Sequence, residues 1–284
     1  MPTTIPTTTS STRPGSPSTG DAYFETDTNN YIIYDGANWR GYESDGILAS
    51  PVTNNLSAVF DGATDKLDCG TTTSLMPTTG LTLSGWIKQT SGSGDNNLIQ
   101  RQSVSTNGYS LRLNGGVLYF FGTGAHTFGS GFTSTTTWYH LCITHDNSTV
   151  KGYVNGVLQG SSSTTALVTN SVSTKLGWHS NYSPAYLQGK LDECAIFSSA
   201  LDASNVAQIY NSGNPIDLTI DQGSYNGSAN LIGYWRMGDG ASDTDSGGGS
   251  PASGDVIGTV VNLAGSYGNA TVAGGSPEYI NDAP

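Results

Sequence analysis

Apolar and polar residues alternate over short runs along most of this chain. Leu81-Thr82-Leu83-Ser84-Gly85-Trp86-Ile87-Lys88 repeats with a period of two, the period at which successive side chains point to opposite faces of a strand. Residues 57–62, 97–101, 109–113, 117–121, 175–178 and 189–197 are similar runs, separated by Gly, Asn, Asp and Ser. The densest signal is 138–160, WYHLCITHDNSTVKGYVNGVLQG. It predicts two strands around a polar turn at Asp146-Asn147-Ser148, then a third strand after Asn155-Gly156. Asn-Gly between extended runs marks a tight hairpin, because both central residues of a type I′ turn need positive φ.

A helical period is convincing only at 204–213. There Val206, Ile209 and Tyr210 share a face, Asp202 or Ser204 can cap the start, and Gly213 suits the end. Near the N-terminus, 22–26, 31–34 and 38–42 predict a three-stranded aromatic meander with turns between. Residues 1–20 are rich in Thr, Ser and Pro without apolar periodicity, which predicts an extended or disordered leader. The expected organisation is a leader (1–20), a small β-module (21–50), one large β-sandwich (51–215), and C-terminal strands (216–284) that complete or extend it. A truncated repeat is the alternative for the last segment.

Composition agrees with many short strands. Of 284 residues 38 are Gly, and only 11% are charged, a profile that disfavours helices. A net charge of −12 with 10 Lys and Arg argues against a nucleic-acid partner, since phosphate contacts need clustered cations. No run of about 18 apolar residues suggests a membrane span. The first residues lack the basic start and apolar core of a signal peptide. Cys69, Cys142 and Cys194 are an odd count without paired spacing, so buried free thiols are expected; a Cys142–Cys194 bridge stays open.

The segment RPGSPSTGDAYFETDTNNYIIYDGANWRGY resembles a small module that recurs in bacteriophage structural proteins, above all fibres and appendages. Arg13, Pro14, Pro17, Gly20, Tyr23, Phe24, Thr26, Tyr34, Asp35, Gly36 and Trp39 carry the resemblance. It implies an attachment unit in which Arg13, Tyr23, Phe24, Tyr34 and Trp39 dock to other virion proteins or to sister chains. By analogy with fibres it also implies a homo-trimer on the outer surface of a capsid or tail.

Residues 56–213 resemble the laminin-G-like members of the concanavalin-A-like lectin/glucanase superfamily. The shared elements, in order, are Phe-Asp-Gly-x-x-Asp (Phe60 to Asp65), a Trp-bearing strand (Trp86), Trp-x-His (Trp138 to His140), Tyr-Val-Asn-Gly (Tyr153 to Gly156), Gly-x-x-Asp-Glu (Gly189 to Glu193) and an Ala-Leu-x-x-x-x-Val helix (Ala200 to Val206). The implied fold is all-β: an antiparallel, laminin-G-like β-sandwich with one short helix, preceded by the three-stranded meander. A fold of this kind hosts many functions.

Catalysis is not expected. A glycosidase needs two carboxyls at a set separation. The chain has four glutamates, Glu25, Glu43, Glu193 and Glu278, without the alternating spacing of β-sandwich glucanases. Asp192 and Glu193 are adjacent, so strand alternation would send them to opposite faces. His126, His140, His145 and His179 have no Gly-x-Ser-x-Gly partner; His140 is expected in the core and His145 in solvent. Calcium is the cofactor the resemblance admits, at Asp61, Asp65 and Asp192. A second acidic group at Asp239, Asp243 and Asp245 reads more simply as turns.

The segment 177–186 joins two strands at a rim and carries three aromatics. Rings stack on sugar faces and polar side chains orient hydroxyls, so Trp178, His179, Asn181, Tyr182 and Tyr186 are the candidate glycan-binding residues. The expected function is a phage fibre or appendage protein whose outward domain contacts host surface polysaccharide. The alternative is a capsid or tail cement protein without glycan affinity.

Overall fold

The computed structural model describes residues 6–9, 11–25, 30–34, 36–37, 39–43, 52–104, 107–179, 185–265 and 267–284. Asn181 and Tyr182 lie outside these residues, as do the side chains of Phe24 and Trp39. The chain forms two compact units, residues 1–51 and 52–284.

In the first unit Ala22–Glu25, Asn30–Tyr34 and Trp39–Glu43 form an antiparallel meander. Thr7–Thr8 of the leader adds a fourth strand, parallel to Ala22–Glu25. Propensity gave no sign of this strand, because a two-residue edge has no periodicity to detect. Among the described side chains of this unit Ile32 is fully buried, Tyr23 and Tyr34 are half-buried, and Arg13 is exposed.

The second unit is an antiparallel β-sandwich. One nine-stranded sheet runs Ala125–Phe128, Val117–Phe121, Asn107–Asn114, Asp95–Val104, Lys175–Leu176, Lys66–Asp68, Ala270–Gly274, Ile257–Val260, Thr244–Asp245. The eight-stranded sheet runs Val157–Ser163, Thr149–Val154, Tyr139–His145, Leu81–Gln89, Gln188–Phe197, Ser57–Asp61, Glu278–Ile280, with Leu231–Trp235 also paired to Gln188–Phe197. Residues after 216 therefore supply strands to both sheets. The Asn155-Gly156 turn has φ of 50° and 74°, the positive values a type I′ hairpin requires.

Alternation places each residue. Leu83, Ile87, Leu111, Leu113, Leu118, Phe120, Leu141 and Ile143 point between the sheets into the main core. The outer side of the eight-stranded sheet is also covered. Cys142, Tyr153, Ala195 and Phe197 meet Val206 and Ile209 of the helix Ala203–Tyr210, with Ile216, Leu218 and Tyr225 from the loop that follows. Asp202 caps this helix by accepting from Asn205 N at 2.9 Å, and it ends at Asn211 in the left-handed conformation, not at Gly213. The three cysteines are free and buried; Cys142 and Cys194 sit on opposite faces of one sheet.

Two sequence expectations change. His145 is buried, because the strand Tyr139–His145 stays in register through the His145–Leu81 pair before the turn begins. Asp192 and Glu193 are not split by alternation. A bulge with Glu193 at φ 47° interrupts the pairing of Gln188–Phe197 with Leu81–Gln89. Burial pushes both carboxyls above the usual carboxylate range, and the Glu193 charge adds to the rise at Asp192.

Candidate functional site

With the outer side of the eight-stranded sheet closed by the helix, the outer side of the nine-stranded sheet is where polar side chains collect. Cross-strand register sets two rows. Asn97 pairs with Arg112 and Arg112 with Tyr119; Lys175 pairs with Gln100, Gln100 with Ser110, and Ser110 with Phe121. Their strand neighbours Leu111, Leu113, Leu118 and Phe120 occupy the core side. Tyr119 and Phe121 are half-buried, with ring centroids 6.4 Å apart and planes within 15°. The guanidinium carbon of Arg112 lies 4.2 Å from the Tyr119 ring centre. Arg112 Nη1 donates to Asp95 at 2.7 Å, and Asp95 is still pushed upward by burial.

Residues 177–179 and 185–187 fold back on this sheet. Gly177 turns the chain out of the core strand at φ 75°, where a Cβ would stand 2.4 Å from Phe60 Cε1. Leu187 N donates to Gly177 O at 2.8 Å and closes the loop. Trp178–His179 pairs with Ala185–Tyr186, which sets Trp178 opposite Tyr186, ring centroids 6.5 Å apart. Lys66 Nζ lies 5.1 Å from the Trp178 ring and 5.8 Å from the Tyr186 ring. Lys175 Nζ is 5.5 Å from Trp178 and 3.0 Å from Asp68.

His179 is buried, with Nε2 3.1 Å from Arg112 Nη1. Burial and then the Arg112 charge hold its pKa down at about 4. His179 is thus a support for Arg112, not an exposed sugar contact. Trp178 and Tyr186 are half-buried and reachable. Arg112, Tyr119 and Phe121 were missed from sequence. A signal existed: residues 117–121 carry aromatics at both parities, so an aromatic must face outward whichever side is buried.

Buried polar atoms without a partner among the described residues concentrate here. They include Asn97 Oδ1, both amide atoms of Gln102, Ser110 Oγ, Arg112 Nε, Trp178 Nε1 and His179 Nδ1. An unmet buried donor or acceptor costs about 1–3 kcal/mol, so a face that gathers them is suited to a hydroxyl-rich ligand or ordered water.

The expected metal residues are arranged differently. Asp61 Oδ1 accepts from Ala63 N, Thr64 N and Asp65 N at 2.8, 2.8 and 3.0 Å. Burial raises the Asp61 carboxyl, but these donors outweigh it and hold the pKa at about 2. Asp65 accepts from Asp61 N at 2.9 Å and Ser276 N at 2.7 Å. Asp192 lies elsewhere: Asp61 pairs with Gln188, four residues from Asp192 and so roughly 13 Å away along the strand. Among the described residues no group of three or more His, Cys, Asp and Glu is placed to hold a metal.

Glu193 is enclosed. Its Oε1 accepts from Arg236 Nε at 2.8 Å and its Oε2 from the Tyr234 hydroxyl. Arg236 also donates to Thr53 O at 2.9 Å beside an open cleft of about 650 Å³ lined by Asp217, Thr219 and Asp239. His140 is likewise internal: Nε2 meets Ser84 Oγ at 2.8 Å, and burial holds its pKa at about 3.

Comparison with known proteins gives a consistent fold. The sequence model described as the concanavalin A-like lectin/glucanases superfamily matches residues 61–207. A Bacteroides ovatus protein provisionally described as carbohydrate binding superposes with a TM-score of 0.60 at 14% identity, over 94% of this chain and 71% of that one. Domain 4 of AbnA, an extracellular arabinanase of Geobacillus stearothermophilus, in complex with arabinotriose, gives 0.43 at 22% identity, over 54% and 76%. A heptameric pentraxin of Limulus polyphemus gives 0.43 at 15% identity, over 57% and 85%. No curated protein sequence matches the chain.

Proposed function

The chain belongs to the concanavalin A-like lectin/glucanases superfamily; we propose that it is a non-catalytic, lectin-like glycan-binding protein and, from the pattern of its N-terminal segment, that it belongs to a bacteriophage fibre or appendage. One observation carries the glycan reading. The outer face of the nine-stranded sheet sets half-buried, near-parallel aromatic rings, Tyr119 and Phe121, beside Arg112 and a set of buried polar atoms without a partner. Rings cover the apolar faces of a pyranose, and the polar atoms orient its hydroxyls. Trp178 and Tyr186 extend this face at the rim.

Binding fits better than hydrolysis. Glu193, one of four glutamates, is fixed by Arg236 and Tyr234 on the other sheet, away from that face. The virion assignment rests on the N-terminal segment and its Arg13, Tyr23, Phe24, Tyr34 and Trp39. That unit would fix the chain to the particle and to sister chains, three of them by analogy with fibres. If calcium takes part, the Asp61–Asp65 turn is its place, without Asp192.

The test is a glycan array run in calcium and in chelator, with Tyr119→Ala and Phe121→Ala beside the parent. Binding of at least one oligosaccharide, weakened roughly tenfold or more by either substitution, a loss of about 1.4 kcal/mol, is expected. An array blank in both buffers would leave the cement-protein reading. Removing residues 1–51 should abolish incorporation into particles while residues 52–284 keep their glycan binding; normal incorporation would overturn the attachment role.

A further inference from the structure

We infer that the glycan recognised at this face is acidic, with a carboxylate or sulfate held by Lys66 beside Trp178 and Tyr186. The inference rests on the glycan-binding reading above and names the chemical class of its ligand. The chain is strongly anionic, at −12, so its cations are scarce. Residues 52–284 contain eight Lys and Arg. Three of them, Lys66, Lys175 and Arg112, meet the paired strands Trp178–His179 and Ala185–Tyr186 through Trp178, Tyr186 or His179.

Two of these charges are already matched. Lys175 is paired with Asp68 at 3.0 Å and Arg112 with Asp95 at 2.7 Å. Lys66 differs. Its ammonium has aromatic neighbours, Trp178 at 5.1 Å and Tyr186 at 5.8 Å, and no carboxylate within ion-pair distance among the described residues. Ring contacts of this kind are weak at accessible sites, whereas a carboxylate or sulfate forms a charge-assisted hydrogen bond with an ammonium.

The position also fits. Lys66 pairs across to Gly274, and its stem lies over that glycine, where a Cβ would stand 3.0 Å from Lys66 Cε. A saccharide ring lying against Trp178 or Tyr186 would present an acidic substituent to Lys66 without leaving the aromatic surface. The nearby carboxylates are turned to other partners: Asp65 accepts from Asp61 N and Ser276 N, and Asp68 from Lys175 and Ser173. A neutral sugar would leave the Lys66 charge unused.

The experiment compares an array of acidic oligosaccharides, uronate and sulfated, with the same backbones made neutral by methyl esterification or desulfation. The whole chain and its Lys66→Gln variant are both tested, with folding of the variant checked by circular dichroism. The expected result is at least tenfold tighter binding of one acidic form than of its neutral counterpart, weakening as salt is raised. In Lys66→Gln the preference for the acidic form collapses toward unity. Equal binding of the acidic and neutral forms, or a preference that survives in Lys66→Gln, overturns the acidic assignment and leaves the lectin reading standing. An array blank for both forms overturns both.

Discussion

Arg112 Nη1 stands 3.1 Å from Nε2 of His179. Arginine can only donate, so Nε2 must accept, and the imidazole is neutral with its proton on Nδ1. This joins the sheet face to the rim hairpin and orients the guanidinium that lies over Tyr119.

The contact has a pH signature. The unfolded imidazole protonates near 6.5, the folded one only at about 4. Between those values the unfolded chain binds the extra proton, so the stability contributed by His179 is complete above 6.5 and is lost as pH falls toward 4. NMR titration of the ring should give a midpoint well below 6.5. In Arg112→Met the midpoint should rise, because a like charge has been removed. A midpoint near 6.5 in the parent would contradict the buried Arg112 contact.

Gly177→Ala should be strongly destabilising. The position needs φ of 75°, and a Cβ would meet the Phe60 ring at 2.4 Å. Strain and overpacking together cost about 2–4 kcal/mol, which chemical denaturation would read directly. The alanine at Gly70, also at positive φ but with open space around its Cβ, should cost clearly less. Equal losses would show that the Phe60 contact is unimportant.

Arg236→Met removes the partner of Glu193 and leaves a buried carboxyl against the Tyr234 hydroxyl. Removing one member of a buried ion pair costs about 3–5 kcal/mol. The double variant Arg236→Met with Glu193→Gln should recover part of that loss. A single variant as stable as the parent would mean the pair contributes nothing.

Asp202→Ala deletes the helix cap and its bond to Asn205 N. A lost cap of this type costs about 1 kcal/mol, or a melting shift of roughly 2–4 °C for a unit of this size. The helix covers the sheet opposite the proposed glycan face, so array binding should not change. Impaired binding would show that the two faces are coupled.

The sandwich was largely legible in the sequence. A period-two run located the strand around Trp86, a short apolar run bounded by Gly located the one through Tyr119, and Asn155-Gly156 located its hairpin, because these are local signals. The helix was equally local, through Asp202 and the Val206–Ile209–Tyr210 face. The Thr7–Thr8 strand was not legible, since its stability comes from a partner some fifteen residues away and from no pattern of its own.

The site was legible only in part. Trp178 and Tyr186 were found as rim aromatics, but His179 proved internal, and the Asp192–Glu193 bulge broke the alternation assumed for it. The sequence by itself determined which stretches are strands, which residues face a core, and that cations are few. Only the tertiary structure decided which sheet face gathers the partnerless polar atoms and which cation stands beside Trp178 without an acidic partner among the described residues. Periodicity is a property of neighbours along the chain; the pairing of Arg112 with Tyr119 and His179, and of Lys66 with Trp178 and Tyr186, depends on strand order and register across a sheet, which no local pattern encodes.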